Sequence, residues 1–352
     1  MGWTDVANPQ DHYFHPRTDD PWWNESSFVG WKLPERNMMA MVYHFFRPNL
    51  KMGVGGPWVW DDSGADMSVI RHCGYDHYMP LPEGGDMFDV ALPNGLTMET
   101  IAPQKAIRYR YENPECSFDV TFEASREPYY AKLKKGSEAN DTGVAQGIHD
   151  LVKPVPEDYS IGHYEQYGYM NGHMTVNGEE IPVVNSVAVL DRSWGRRPLL
   201  ANMDKVRVGY SSATVDPDHS FHMWTSSDIP GAQDPVEGTT ERVTTGYLVR
   251  DGVLGEFVDG TRRIVERGED GRPLREIIDV TDHLGRTMHA EGYTTNMLRW
   301  PGVYGDYMFF AGGAFWEIDG IPQVVGEIQE WMNFRTYKRY MATQRTLSSI
   351  RV

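Results

Sequence analysis

The sequence predicts an all-β protein built from antiparallel sandwiches or barrels. Asn-Gly and Asp-Gly pairs, which favour tight hairpin turns, recur along the chain, and the runs between them are short and alternate apolar with polar residues. Sustained helical periodicity is hard to find. Closed barrels would also leave few sheet edges exposed, so they fit this pattern well. The six pairs lie at residues 94–95, 177–178, 251–252, 259–260, 270–271 and 319–320.

The alternating runs are predicted strands, and two segments are expected to carry a turn or two of helix, residues 136–153 and 337–350. The first 60 residues are rich in Pro and Trp, and we interpret them as loops or strand ends that close a barrel mouth. The predicted strands include residues 108–111, 117–124, 205–210, 220–224, 262–267 and 324–332.

The length of 352 residues suggests two domains. The polar segment 134–160 reads as a long connection. A second break falls at Arg197-Pro198, where we place the boundary between an N-terminal domain, residues 1–197, and a C-terminal domain, residues 198–352.

Composition excludes several classes of partner. A formal charge of −17 repels phosphate backbones and anionic lipid surfaces, so nucleic acid and the membrane surface are not expected as partners. No run approaches the 18 apolar residues of a membrane span, and the N-terminus resembles no signal peptide, so a cytoplasmic location is expected. Two cysteines cannot form a disulfide framework or a four-cysteine zinc site.

Large apolar side chains are abundant. Aromatic residues make up 12 % of the chain and there are 18 Met, and these side chains either fill a core or line a pocket for a bulky apolar ligand.

The most informative stretch is Asp191-Arg192-Ser193-Trp194-Gly195, which follows the hairpin around Asn177-Gly178. In a strand, side chains alternate, so Asp191 and Ser193 would lie on one face, with Arg192 and Trp194 on the other. Arg192 could then lie along the Trp194 ring in a cation–π pair. The alternative is a structural corner, with Asp191 accepting backbone hydrogen bonds.

The hairpin followed by Asp-X-X-Trp-Gly resembles the tandem lipocalin-like superfamily of carotenoid 1,2-hydratases and AttH-like proteins, whose signature is Asp-His-X-Trp-Gly. The version here is similar to an uncharacterised bacterial branch, as are the element Trp23-Asn24-Glu25-Ser26 and the element His163-Tyr164-Glu165-Gln166. The resemblance implies two lipocalin-like antiparallel β-barrels packed together around a hydrophobic cavity. It implies no metal and no organic cofactor, and members include hydratases of isoprenoid double bonds and cofactor-free cyclases.

Arg192 stands where the signature has His. In the hydratases that His and the signature Trp are thought to serve the site. Arginine stays protonated, so it cannot donate a catalytic proton, but it can hold a carboxylate or carbonyl oxygen. This difference favours hydrophobic substrates that carry oxygen over pure hydrocarbons.

Further candidates come from side chains that share a strand face. His163 and Glu165 could form an acid–base couple, or a satisfied polar pair at a barrel mouth. His222 and Trp224 share a face, whereas His219 points the other way. Glu327 could act as an acid if enclosed, although a solvent-facing position is the favoured alternative.

The predicted function is therefore a cofactor-independent enzyme for a bulky hydrophobic, partly oxygenated compound, such as an isoprenoid, steroid-like or polycyclic molecule. Hydration, dehydration or isomerisation is the expected reaction class. The alternative is a carrier that only binds a lipophilic small molecule, and the oligomeric state, a homodimer included, is left open. The predicted catalytic residues are Asp191, Arg192, His163, Glu165 and His222, and the predicted substrate-binding residues are Trp194, Trp224, Trp23, Glu25, Trp331 and Glu327.

Overall fold

The computed structural model describes residues 8–15, 19–131, 162–196, 207–226, 240–301 and 307–350. In these residues nearly all regular structure is antiparallel β-strand, with a few 3-10 turns and a single α-helix, α1 (Phe334–Ile350). The predicted all-β class is confirmed. The described residues form two compact units. The predicted domain boundary at residues 197–198 and the predicted connection and helical turn within residues 134–160 lie outside the described residues.

The first unit contains the described residues up to 60 and within 70–131 and 162–196. Its sheet runs in the order β4-β3-β2-β1-β12-β11-β9-β8-β7-β6, with β5 paired to β3 and β10 paired to β11. The strands are β1 (Trp23–Leu33), β2 (Met38–Arg47), β3 (Met52–Trp60), β4 (His72–Cys73), β5 (Asp76–Pro80), β6 (Val90–Ala91), β7 (Thr97–Ala102), β8 (Ala106–Glu112), β9 (Cys116–Ala124), β10 (Tyr129–Tyr130), β11 (Gly162–Val176) and β12 (Glu179–Arg196).

Loops or strand ends were predicted for the first 60 residues, and this was wrong for much of the region, which forms long strands. Every residue of β1 and β2 is buried, on both faces of the sheet. A strand buried on both faces does not alternate apolar with polar residues, so the expected pattern is absent. The prolines lie where chain direction changes: Pro34 and Pro48 each begin a short 3-10 turn between strands.

The hairpin between β11 and β12 was predicted correctly. Asn177 and Gly178 have φ angles of 52° and 81°, the left-handed values that a two-residue turn of type I′ requires at both positions. The pairing runs from Val176 opposite Glu179 up to Gly162 opposite Trp194, with one bulge between Met170 and Gly172. This long hairpin fixes the register between residues 162–176 and residues 179–194.

The second unit contains residues 61–69 and the described residues from 207 onward. Eight of its strands close into an antiparallel barrel, because β20 pairs with β21 on one side and with β18 on the other. Its strands are β13 (Arg207–Asp216), β14 (His219–Ser226), β15 (Thr240–Arg250), β16 (Val253–Arg267), β17 (Pro273–Asp282), β18 (Thr287–Thr294), β19 (Leu298–Pro301), β20 (Tyr307–Ile318) and β21 (Ile321–Asn333).

One local prediction in this unit differs from the structure, and one agrees with it. Asp259-Gly260 was predicted as a hairpin turn, but it lies inside β16, where the register shifts between Phe257 and Asp259. A bulge and a turn use the same permissive residues, so the pair alone does not distinguish them. The segment 337–350 is helical as predicted, within the 17-residue helix α1.

The barrel interior of the second unit is part apolar and part charged. Phe221, Ile278, Trp316 and Ile328 belong to its apolar core. Beside them lies a network of buried charged side chains, consisting of Arg207, Arg262, Arg267, Glu241, Glu276 and Glu330. This part of the interior therefore differs from the hydrophobic cavity that the resemblance implied. No helix in the described part of the chain is both long and apolar enough to cross a membrane.

Candidate functional site

The three sequence elements singled out above lie on three adjacent strands of the first unit. Residues 23–26 belong to β1, residues 191–195 to β12 and residues 163–166 to β11, and β12 lies between the other two. In the register, Ser193 is directly opposite His163. Elements that are distant in sequence thus form one continuous patch of sheet.

Alternation along the strands divides this patch between the two faces of the sheet, as predicted for residues 191–194. The face that carries the apolar core of the unit is called the core face, and the other is called the opposite face. The core face carries Trp23, Glu25, Arg192 and Trp194, whereas the opposite face carries Asp191, Ser193, His163 and Glu165. Arg192 therefore does not share a face with the other predicted catalytic residues of this unit.

The Arg192 guanidinium is fully buried and engaged by protein groups. It forms an ion pair with Glu25, donates from Nη1 to the Ser193 carbonyl at 2.7 Å and donates from Nη2 to the Tyr13 carbonyl at 2.9 Å. Its central carbon lies 5.4 Å from the centroid of the Trp194 ring, as expected for the predicted cation–π pair. These contacts give Arg192 a structural role on the core face.

Glu25 is the anion that balances this arginine. Its carboxylate also accepts hydrogen bonds from the Trp23 indole and the His15 backbone N–H, each at 2.9 Å. Burial alone would raise the pKa of Glu25, but the Arg192 charge and the His15 hydrogen bond outweigh it, so the pKa lies below its usual value. Glu25 therefore stays ionised.

His15 completes the core-face cluster, although no pattern in the sequence indicates it. Its ring stacks on Trp194 with centroids 4.2 Å apart and lies between the carboxylates of Glu25 and Asp11, at 3.3 and 3.2 Å. Burial lowers the pKa of His15, but the two carboxylate hydrogen bonds outweigh this effect and raise it.

We expect this His15 shift to appear in the pH dependence of stability. A group whose pKa is raised by folding stabilises the native state below its unfolded pKa, and that contribution is lost as pH rises through the folded pKa. The free energy of unfolding in urea, measured between pH 5.5 and 9, should therefore fall with rising pH more steeply in the wild type than in His15→Gln. The exposed His173 provides the control His173→Gln, which should follow the wild type. Parallel profiles for wild type and His15→Gln would contradict the expectation.

The opposite face holds a compact titratable cluster around His163. Nδ1 of His163 lies 2.5 Å from the Ser193 hydroxyl, and Nε2 lies 2.5 Å from the Glu165 carboxylate. The ligand atoms of His163, Glu165 and Asp191 all lie within 4.8 Å of one another. Glu165 and His163 are buried, while Asp191 is partly exposed, so the cluster reaches the surface through Asp191.

This cluster has the parts of a proton-transfer site. A carboxylate on one ring nitrogen orients an imidazole and stabilises its charged form, while a hydroxyl on the other nitrogen can exchange a proton with it. One imidazole and two carboxylates could also hold a metal ion. The expectation that the protein uses no metal stays a prediction.

Aromatic side chains flank the cluster on the same face. Phe28 lies opposite both Asp191 and Tyr43 in the register, and Phe45 lies opposite Ser26, which itself lies opposite Ser193. The three aromatic residues are buried. The opposite face thus combines apolar rings with acid–base groups.

The second unit brings together the other predicted residues. His222, Ser212 and Glu327 lie side by side across β14, β13 and β21, on the outer face of the barrel. The His222 and Trp224 rings share that face, with centroids 6.3 Å apart. Glu327 is fully buried, so the solvent-facing position favoured from the sequence was wrong.

Trp331 lies on the same face of β21 as Glu327, four residues farther along. Its ring packs against Phe309 with centroids 4.3 Å apart, and the side chain is only partly buried. His219, as predicted, is separate from His222 and instead contacts Asp216 at 3.0 Å near the surface.

An open cleft of the first unit contains none of the predicted site residues. It lies between the turn that precedes β7 and the chain between β4 and β5, and its lining is mainly polar. The lining includes Tyr75, Asn94, Tyr111 and Glu112.

Comparisons with known proteins match the chain to a family model and to several solved structures. The family model described as "Domain of unknown function (DUF7064)" matches residues 8–332. No curated protein matches the sequence.

Three solved structures resemble the chain at low sequence identity. An AttH-like protein from Nitrosomonas europaea has a TM-score of 0.59 at 15 % identity, over 95 % of this chain and 98 % of that one. CghA with Sch210972 has a TM-score of 0.51 at 9 % identity, over 89 % of each chain. Kievitone hydratase from Nectria haematococca has a TM-score of 0.49 at 13 % identity, over 90 % of this chain and 89 % of that one. The predicted resemblance to AttH-like proteins is confirmed for the fold.

Proposed function

Since the chain belongs to the family described as Domain of unknown function (DUF7064), which names no reaction, we propose a function from its own residues. The protein is an enzyme that moves protons on a bulky hydrophobic, partly oxygenated substrate, by hydration, dehydration or isomerisation, and it needs no cofactor. The observation that carries this proposal is the His163 imidazole, held between the Glu165 carboxylate and the Ser193 hydroxyl on the opposite face.

The proposed proton path runs through these three side chains. With the proton on Nε2, His163 donates to Glu165 and accepts the Ser193 hydroxyl at Nδ1. The Ser193 oxygen can then take a proton from substrate or water while it passes its own to Nδ1, and Glu165 stabilises the imidazolium that forms. In the reverse direction the same groups return the proton to another atom of the substrate.

Asp191 is proposed to orient the water molecule that is added to the substrate or removed from it. Its carboxylate lies beside His163 and is partly exposed, and its Oδ1 accepts the Phe28 backbone N–H at 3.0 Å. A carboxylate at the surface end of the cluster can orient a water molecule by accepting its hydrogen bond. The aromatic rings of Phe28, Tyr43 and Phe45 on the same face support a hydrophobic substrate.

The proposal is tested with His163→Ala on a panel of isoprenoid and steroid-like alkenes, alcohols and ketones. Reactions are run in D₂O and, separately, in H₂¹⁸O, and mass spectrometry follows the incorporation of deuterium and ¹⁸O. Positioned acid–base groups contribute about 10²- to 10⁴-fold to rates, so His163→Ala should lose that much activity. His173→Ala, at an exposed position of the same strand, should be unaffected.

The competing function is that of a carrier for a lipophilic molecule. It would be supported if no panel compound were converted by the wild type while several bound equally well to the wild type and His163→Ala. That result would overturn the proposed enzyme.

A further inference from the structure

The Asn24 carboxamide is an unexplained polar group on the opposite face. Asn24 is completely buried, and neither its oxygen nor its nitrogen has a hydrogen-bond partner among the described residues. Buried polar groups are nearly always hydrogen-bonded, because leaving them unpaired is costly. Such an amide is satisfied either by ordered water or by a bound ligand.

The position of Asn24 connects it to the proton-transfer cluster. Asn24 lies two residues before Ser26 on the same face of β1, and Ser26 lies directly opposite Ser193. Diagonal neighbours of this kind in an antiparallel pair are about 7–8 Å apart, a span that one bound functional group can bridge. Gly195, directly opposite Asn24, has no side chain to occupy the space beside the amide.

We propose that Asn24 binds the carbonyl oxygen of the substrate, so that the substrate class is a hydrophobic ketone, aldehyde or ester. This inference rests on the proposed function and narrows it. The amide N–H donates to the carbonyl oxygen and stabilises the negative charge that develops there.

The reaction balances without an external reagent. Ser193, backed by His163, removes a proton from the carbon next to the carbonyl. The electron pair of that C–H bond forms a carbon–carbon double bond, and the carbonyl π pair moves onto the oxygen held by Asn24. In a β,γ-unsaturated substrate the carbonyl then re-forms, the double bonds shift and the proton returns to the γ carbon, which gives an isomer. In a β-hydroxy substrate the carbonyl re-forms, a double bond forms between the α and β carbons, and the hydroxyl group leaves with the proton as water.

The negative charge of the acidic side chains on the opposite face favours binding of a neutral carbonyl compound over binding of a carboxylate. Glu165 and Asp191 place two acidic groups beside the reacting position. The nearby Arg47 is engaged elsewhere, because it donates to the Trp22 carbonyl at 3.1 Å and lies 5.6 and 5.9 Å from the ring centroids of Trp22 and Phe45. Among the described residues of this face, a carboxylate ligand would therefore meet two like charges, and Arg47 would already be occupied by its own contacts.

The test compares Asn24→Leu with the wild type on geranylacetone, a ketone, and on geraniol and geranic acid. Deuterium incorporation next to the carbonyl is measured in D₂O by mass spectrometry, and binding of all three compounds is measured by tryptophan fluorescence. Removing one such donor typically lowers a rate by about 10²- to 10³-fold, so exchange on geranylacetone should fall by that factor and its affinity at least tenfold. Binding of geraniol should not change. Asn171→Leu, at a position where the side chain contacts Glu123 near the surface, is the control.

Thermal stability separates a binding role from a structural one. Leucine replaces an unpaired buried amide with an apolar group of similar size, so the melting temperature of Asn24→Leu should be equal to or above that of the wild type. Lower stability of this variant, or unchanged ketone exchange and binding, would overturn the inference. If His163→Ala still lost activity in that case, the proposed function would stand. If the wild type converted none of the panel compounds, the proposed function would fail, and the Asn24 binding site would be judged on ketone affinity alone.

Discussion

Replacing Arg262 by methionine is expected to lower the free energy of unfolding by about 3–5 kcal/mol, the range for breaking a buried ion pair from one side. Arg262 is completely buried in the barrel of the second unit. Its Nε donates to Glu276 at 2.8 Å and its Nη1 to Glu241 at 3.0 Å. Without the guanidinium both carboxylates lose a buried partner.

The behaviour of Glu276 shows how closely balanced this network is. Burial raises the pKa of Glu276 above its usual value even though Arg262 acts to lower it. Removing the arginine should therefore raise the pKa of Glu276 further, so that the native state either buries an unpaired carboxylate or has to protonate it. The remaining Arg267 and Arg207 contact Glu330, so they do not substitute for Arg262 at Glu276.

Chemical denaturation measures the effect, and hydrogen exchange locates it in the barrel strands. The double variant Arg262→Met/Glu276→Met should recover part of the loss, since replacing a buried pair with apolar residues is often neutral. Arg250→Met, which breaks the partly exposed pair with Asp319, should cost less than about 1 kcal/mol. A similarly small loss for Arg262→Met would show that the buried network does not stabilise the barrel.

Arg192→Met is expected to destabilise the first unit by a similar amount, about 3–5 kcal/mol. The substitution leaves Glu25 buried without its ion pair, and it frees the Tyr13 and Ser193 carbonyls. The dependence of stability on acidic pH should also become weaker in Arg192→Met. The low pKa of Glu25 favours the native state above the unfolded pKa, and that contribution is lost as pH falls through the folded pKa, so Arg192→Met should lose most of this dependence.

This experiment also separates the two roles considered for Arg192. Urea denaturation and hydrogen exchange in β12 should report the loss, and Glu25→Gln/Arg192→Met should recover part of it. Arg108→Met, at a half-exposed pair with Asp119, is the matched control. If Arg192→Met kept wild-type stability but lost ligand binding, the substrate-holding role predicted from the sequence would be correct instead.

The fold could be predicted largely because turns and alternation are local properties. Five of the six predicted hairpin pairs lie between paired strands, and the exception, Asp259-Gly260, lies at a bulge within β16. Strands β1 and β2 were missed because burial on both faces removes the alternation on which such predictions depend. Their burial depends on contacts with residues far away in sequence.

The candidate site was predictable within each strand but not between strands. His163 beside Glu165, and Arg192 along Trp194, follow from alternation in one segment. The ion pair of Glu25 with Arg192 joins residues 167 positions apart, so it depends on sheet order and register. Ser193 was assigned to the correct face but not to the site, because only the register shows it opposite His163. His15 had no signal, since it lies in an irregular segment before the first strand.

The two faces of β12 carry side chains with different roles, and this limits which insertions its coding sequence can accept. Ionic residues that hold the fold alternate here with groups proposed for chemistry, and a shift by one residue exchanges the faces of a strand. A codon inserted between the Asn177-Gly178 turn and Asp191 would turn Arg192 toward the position of Ser193 and expose the core to Asp191. Two inserted codons would return each side chain to its original face, but each would then lie two positions away from its present partners on the neighbouring strands. Reading-frame-preserving insertions should therefore be far less tolerated in this arm of the hairpin than substitutions at its individual positions.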